Sequence, residues 1–327
     1  MEKSTVEILF EWLDHTTDQV QQHLNEPYLE GLSEVMETVF YDESASDLDD
    51  ILKKKLNDAL VELRKVKYTE EDMRKAIQLA ILKGMRGSTQ EQHVMTPESI
   101  GLIVGYLANK LMEGKQDLRV FDPASGTGNL LTTVMGQLPQ KLITSASEVD
   151  STLIQLSVLS ANLQKKEIEF FHQDSLGPLL LDPVDLIVSD LPVGYYPDDL
   201  RANDYELQAE KGHSYSHHLF IEQSLKYTRE AGYLIFVIPD FLFDSDQSDK
   251  LNRYLQENAH IVGVLRLPES VFKSKKHVKS ILVLQKKGEK TTGPKQPLLV
   301  QIPSLNNTNA MADILGQMNN WFKTTEK

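Results

Sequence analysis

Four carboxylates, a pair of glycines and one short proline turn have the types and spacing to do chemistry in this 327-residue chain. The stretch FDPASGTGNLL, Phe121 to Leu131, follows a β-rich apolar run and opens a helical one. Gly126 and Gly128 permit the backbone angles and close approach that a ligand under a helix N-terminus requires. A dinucleotide fingerprint would need a third small residue where Leu131 stands, and the G-K-S/T of a phosphate-cradling loop is absent. Asp122 instead precedes the first glycine by four positions, where a carboxylate repels pyrophosphate and favours a cationic ligand. Glu148 comes 22 residues after Gly126, at the end of the next β-rich run. At about that offset an acidic residue accepts both ribose hydroxyls. HQDSL places Asp174 after the third run.

Carboxylates after three successive strands suit a ligand with a ribose, an adenine and a positive charge, and S-adenosylmethionine has all three. The candidate cofactor contacts are Asp122, Glu148 and Asp174, with Pro123, Ala124, Ser125, Gly126, Thr127, Gly128 and Asn129 in the turn, and Val149 and Ser175 beside the acids. A second candidate is SDLPVGYYP, Ser189 to Pro197, which follows the apolar run VDLIV. It sets Asp190 at a strand's C-terminal edge, where open α/β sheets hold their ligands. Asp190 there is either a functional acceptor or a carboxylate capping a turn. His213, His217 and His218 cluster without a carboxylate at helical spacing, so no metal site is expected.

The elements that must position these residues are legible as alternation. β-rich runs at 118–122, 143–150, 167–171, 184–190, 233–239, 261–267 and 280–285 are separated by helical patterns near 128–137, 151–164, 217–230 and 247–258. This predicts an α/β fold with a doubly wound, mostly parallel seven-stranded sheet of Rossmann-like type. PLLVQI and a helix near 309–322 read as a short closing element, and Pro97 as the start of a helix through Met112. Before about residue 90 only helical periodicity occurs, as in Leu52, Leu56, Leu60 and Leu63. An N-terminal all-helical accessory domain over 1–90 and a cofactor-binding domain over 91–327 are therefore expected. Ser46 or Asp47 should cap the helix after the acidic loop YDESASDLDD.

The chain has no cysteine, which excludes disulfides, thiolate zinc sites and cysteine nucleophiles, C5-cytosine methylation among them. That composition fits a reducing cytoplasm. No apolar run reaches the ~18 residues of a membrane span, and the first residues lack a signal peptide's pattern. A net charge of −14 argues against solitary tight binding to duplex DNA. Between Val264 and Lys290, however, 8 basic residues face 2 acidic ones. This run, with Lys273 to Lys279 at its centre, is either a solvated hairpin edge or a local contact for a polyanion.

The ordered blocks resemble the class I S-adenosylmethionine-dependent methyltransferases, and more narrowly the N6-adenine DNA methyltransferases, especially the modification subunits of type I restriction systems. HVMTPESIGLIVGYL is similar to the family's F-T-P block, and the resemblance implies that Met95, Thr96 and Pro97 touch the methionine end of the cofactor. FDPASGTGNLL is the family's glycine turn almost letter for letter. SHHLFIEQSLKYTREAGYLIFVIPDFLF and VGVLRLPESVFKSKKHVKSILVLQKK resemble the later strand, turn and hairpin blocks, out to Lys287. The helical first 90 residues resemble such subunits less specifically.

By position, SDLPVGYYP is then the family's catalytic N/D/S-P-P-Y/F tetrapeptide, which also borders the cofactor. The resemblance implies that Asp190 and the Leu191 carbonyl accept the two N–H bonds of an exocyclic amine, with Pro192 shaping the turn. Those bonds free the nitrogen lone pair for in-line attack on a sulfonium methyl. Leu191 replaces the first proline but keeps a carbonyl. Val193 replaces the aromatic that stacks on a flipped base, a contact worth about 1–3 kcal/mol, leaving Val193, Tyr195 and Tyr196 as candidate substrate contacts. The expectation is an N-methyltransferase of the DNA adenine-N6 type, or a cofactor-binding module that has lost transfer. RNA or a protein amide nitrogen fits the same chemistry. After Lys287 only 40 residues remain, so a partner specificity protein is expected to supply any target recognition.

Overall fold

The computed structural model describes residues 3–87, 95–272 and 277–325. His93, Val94 and most of the lysine-rich turn, Lys273 to Lys276, lie outside them.

Both hydrophobic periods anticipated above are realised. Four helices form first: α1 (Thr5–Leu24), α2 (Tyr28–Tyr41), α3 (Asp50–Leu63) and α4 (Glu70–Gly87). Ser4 and Glu7 close a capping box at the start of α1. The N-cap of α3 is Asp49, not Ser46 or Asp47: its carboxylate accepts from the backbone N–H groups of Ile51 and Leu52 at 2.9 and 3.1 Å. The acidic loop holds several good capping residues, and the helix begins at the last of them.

Beyond α5 (Glu98–Leu111) strands and helices alternate. They are β1 (Asp117–Asp122), α6 (Asn129–Met135), β2 (Lys141–Glu148), α7 (Ser151–Leu163), β3 (Glu169–His172) and β4 (Val184–Asp190). The short α8 (Asp199–Ala202), then α9 (Ser216–Tyr227), β5 (Thr228–Pro239), α10 (Ser248–Asn258), β6 (Ala259–Arg266) and β7 (Lys279–Lys286) follow. Finally come β8 (Leu298–Gln301) and α11 (Thr308–Thr325). The expected seven strands form, but the sheet has eight, in the order β3-β2-β1-β4-β5-β7-β6-β8. The closing run PLLVQI joins it by parallel pairing with β6. β7 runs antiparallel to β5 and β6, whereas the other pairs are parallel. Several boundaries move: β5 begins at Thr228, within the helical pattern expected to reach 230, and β2 ends at Glu148, because the Asp150 carboxylate caps α7 through Thr152 and Leu153 N–H groups.

The central strands read as near-continuous apolar runs because both faces are covered. Leu186 and Val188 of β4, with Ile235 and Val237 of β5, enter the core under α5, α6 and α11. Ile187, Leu234 and Phe236 point the opposite way, toward α9 and α10.

The helical N-terminus does not stand apart from the sheet. Its core of Leu9, Leu13, Met36, Leu56 and Ile77 is continuous with Leu156 and Leu159 of α7, and with Met95. Thr152 donates its hydroxyl to Glu30 at 3.1 Å, and Lys165 pairs with Glu70 at 2.6 Å. Arg74, nearly buried, bridges Glu71 and Glu98, the first residue of α5. Leu156→Ala should therefore destabilise helices and sheet together, by about 2–5 kcal/mol. Denaturant unfolding followed by helical and aromatic signals would show one shifted transition; separate transitions would contradict the shared core.

Candidate functional site

The chain passes from β1 out to β2 and β3, then returns across to β4 beside β1. The crevice between the C-terminal ends of β1 and β4 is the switch point, where such sheets bind ligands. Asp122 ends β1 and Asp190 ends β4. The two strands are tied there by the Ser189 hydroxyl, which donates to Asp122 Oδ1 at 2.7 Å. The same oxygen accepts from Ala124 N–H at 3.1 Å, folding the chain into the glycine turn.

That turn has the conformation its glycines permit. Gly126 and Gly128 have φ of 53° and 75°, and Gly128 N-caps α6. Glu148 holds the turn down: Oε2 accepts from Gly126 N–H at 2.8 Å, while Oε1 accepts from Val149 and Asp150 N–H at 2.9 and 3.0 Å. Ser175, past β3, donates its hydroxyl to the Pro123 carbonyl at 2.6 Å. Asn129 reaches the Thr96 carbonyl at 2.7 Å, and the Thr96 hydroxyl donates to Asp190 Oδ2 at 2.8 Å. One hydrogen-bonded unit thus links Thr96, the turn, Glu148, Ser175 and Asp190, from segments remote in sequence.

Other expected residues fall elsewhere. Pro97 caps α5, while the Met95 side chain turns into the helical core. Thr127 is buried and Val149 exposed. Asp174 lies beside the unit and accepts a short hydrogen bond from the Tyr196 hydroxyl, so Tyr196 is buried rather than presented to solvent. Burial, and secondarily that carboxylate, raises the Tyr196 pKa. Leu191, where the family has its first proline, buries its side chain in the apolar cluster that also holds Tyr196, Tyr205 and Leu207, and its N–H donates to the Val237 carbonyl. Val193 is 44% exposed. Beyond it the loop is zipped to the start of α9, with Ser216 N–H on the Gly194 carbonyl at 2.9 Å and Tyr196 N–H on Ser214 at 2.8 Å. Tyr195, 58% exposed, stacks on Tyr215 at 4.9 Å, and Tyr215 stacks on His217 at 5.1 Å. His217 and His218 are buried, and burial pushes them down to about 3 and about 4. Both are therefore neutral.

Sequence reasoning missed the partner of Asp190. Lys279, on β7, places Nζ 2.5 Å from Asp190 Oδ1. Both carboxylate oxygens are thus engaged, one by an ammonium and one by Thr96. Lysine content alone left a solvated hairpin edge or a polyanion contact; the pairing with Asp190 follows only from β7 lying opposite β5, with Lys279 level with Pro239.

The edge fits a cationic nucleoside ligand. Ser125 Oγ, in the turn, is buried without a partner among the described residues. A Cβ on Gly126 would meet nothing within 4 Å, leaving open space against its backbone. Asp122 is strongly perturbed: complete burial, reinforced by the Glu148 and Asp190 charges and opposed by its two hydrogen bonds, pushes it up to about 7. A nearby positive charge would favour its ionised form.

A mostly parallel sheet with an acidic edge at its switch point and a glycine turn under α6 is the architecture of a class I S-adenosylmethionine-dependent methyltransferase. The comparisons with known proteins agree. The model of the N-6 DNA methylases matches residues 85–314, and that of the YtxK N-terminal helical domain matches residues 7–85. The chain belongs to the N-6 DNA methylase family, and the cofactor of its fold is S-adenosylmethionine. It is 47% identical over 326 residues to the uncharacterized protein YtxK of Bacillus subtilis (strain 168), spanning 99% of both chains. A crystal structure from Listeria monocytogenes, assigned to the class I S-adenosylmethionine-dependent methyltransferases, superposes with a TM-score of 0.91. The two are 42% identical, over 97% of this chain and 99% of the other. The methyltransferase subunit of a type I restriction-modification system from Streptococcus thermophilus shares the fold, with a TM-score of 0.65 at 14% identity over 97% and 74% of the two chains.

Two expected outcomes follow from this geometry. Gly128→Ala should destabilise more than Gly126→Ala, in thermal unfolding. Each forces a side chain to positive φ at roughly 1–2 kcal/mol, but a Cβ at Gly128 also comes within 2.3 Å of Ser157 Oγ. Asp122 has a folded pKa above its unfolded value, so the unfolded state loses this proton first as pH rises. Its contribution to stability declines between about pH 4 and pH 7. Asp122→Asn should remove that decline in ligand-free protein, read from unfolding curves at pH 5 and pH 8; an unchanged pH dependence would count against a buried acid.

Proposed function

We propose that the protein is a cytoplasmic S-adenosylmethionine-dependent N-methyltransferase of the DNA adenine-N6 type. The observation that carries the reading is the placement of Asp190. It ends β4 beside Asp122, at the rim of the glycine turn, with its carboxylate oriented by Thr96. Thr96, Asp122, Ser125, Gly126, Gly128, Glu148 and Asp174 would hold the cofactor, with Glu148 exchanging its backbone partners for ribose hydroxyls. When bound, S-adenosylmethionine would supply an electrophilic methyl on a positively charged sulfur, the carbon–sulfur electron pair staying on sulfur as the nitrogen held by Asp190 bonds to carbon. Asp190 and the Leu191 carbonyl accept the two amine N–H bonds and raise the nitrogen's nucleophilicity. The surplus proton on the alkylated nitrogen passes to the Asp190 carboxylate. Pro192 and the buried Leu191 side chain would set the carbonyl's direction, and Val193 and Tyr195, both exposed, would border a planar base. Reading of a target sequence would fall to a separate specificity protein.

A second reading, a cofactor-binding module without transfer, is favoured by the engagement of both Asp190 oxygens and by the absence of a ring at Val193. Val193→Phe separates the two: DNA methylation rising above the wild-type level marks a weakened enzyme, whereas no methylation by either protein supports the module.

Asp190→Ala should lower tritium transfer from labelled cofactor to DNA by about 100-fold or more, while calorimetry still detects S-adenosylmethionine. A fully active variant would refute the role given to Asp190. Transfer to RNA or protein but not to DNA would move the substrate class.

A further inference from the structure

The charged groups at the edge are not matched at random. Asp240, just past β5, accepts the Ser280 hydroxyl at 2.9 Å and pairs with Arg266 at 3.0 Å. Lys279, next along β7, passes the end of β5 to Asp190 instead. Asp190 is only 14% exposed and Lys279 23%, so water screens the pair less than it would a surface pair. Among the described residues, Thr96 faces it with a hydroxyl that carries no charge, and Asp122 is the acid that feels the Asp190 charge. One ammonium therefore already neutralises the acid that ends β4.

That has a consequence for a charged cofactor, and it rests on the reading above that S-adenosylmethionine occupies this crevice. A methyl poised for transfer to an amine on Asp190 lies about 3 Å from that nitrogen. The sulfur bearing it consequently shares the neighbourhood of the Lys279 ammonium. Sulfonium and ammonium repel, whereas the thioether of the demethylated product is neutral and meets no such penalty.

We propose that Lys279 is a specificity-determining residue for the charge on the ligand sulfur: paired with Asp190, it acts as a built-in counter-cation that weakens S-adenosylmethionine relative to S-adenosylhomocysteine. It is a positioning residue, acting through Asp190 and through its field. While Lys279 holds Asp190 Oδ1, that oxygen cannot accept from a substrate amine, so the closed pair also withholds one of the two amine contacts. The pair is a resting state, in which the acceptor oxygen is covered until the lysine leaves it.

The test is calorimetry of both ligands on full-length wild type, Lys279→Met and Lys279→Arg. Lys279→Met should raise the affinity ratio of S-adenosylmethionine to S-adenosylhomocysteine by about tenfold, with Lys279→Arg staying near wild type because the charge remains. An unchanged ratio in folded Lys279→Met overturns the proposal, and leaves the cofactor reading intact. Wild type binding neither ligand takes both down. A second measurement needs no variant to fold well: in wild type carrying 15N-lysine, the Lys279 Nζ resonance should move further with S-adenosylmethionine than with S-adenosylhomocysteine. Equal displacement by the two ligands sinks the idea.

Discussion

A carboxylate with no access to water, set where two neighbouring strands diverge, is the constraint around which this molecule is organised. Asp122 must be hydrogen-bonded to be buried at all, and its partners come from both sides of the switch point. Ser189 reaches it from β4 and Ala124 from the turn after β1. Those contacts close the strands together and aim the chain over the N-terminus of α6. The glycine turn, the Glu148 brace and the position of Asp190 all follow from them.

The resulting edge is more nearly saturated with internal partners than a list of acids suggests. Glu148 spends its oxygens on three backbone N–H groups, Asp174 on Leu176 and Tyr196, and Asp190 on Thr96 and Lys279. Such partners keep the loops in place without a ligand. They also mean that a ligand binds by exchange, trading its own donors for those of the protein, so net affinity reflects a difference between two sets of hydrogen bonds.

The helical N-terminus belongs to this same economy of contacts. Its core extends into α7, the helix begun by Asp150 immediately after Glu148, and Arg74 grips Glu98 at the head of α5, two residues from Thr96. Helices that carry no chemistry thereby hold two segments that do.

Local chemistry was legible in the sequence. Alternating periods marked the strands and most helices, the glycine pair marked the turn, and Asp122, Glu148 and Asp190 stood at strand ends as read, because each depends on neighbours within a few residues. What the tertiary structure decided was pairing between distant segments. The closing run PLLVQI was legible as a short element, but that it becomes an eighth strand was decided by its parallel pairing with β6. Tyr196 and Tyr195 are adjacent in sequence, yet one is buried on Asp174 and the other stacks at the surface on Tyr215. Lys279 looked like any hairpin lysine until an antiparallel strand carried it to Asp190. A charge's partner is set by three-dimensional proximity, and across 89 residues no local pattern encodes it.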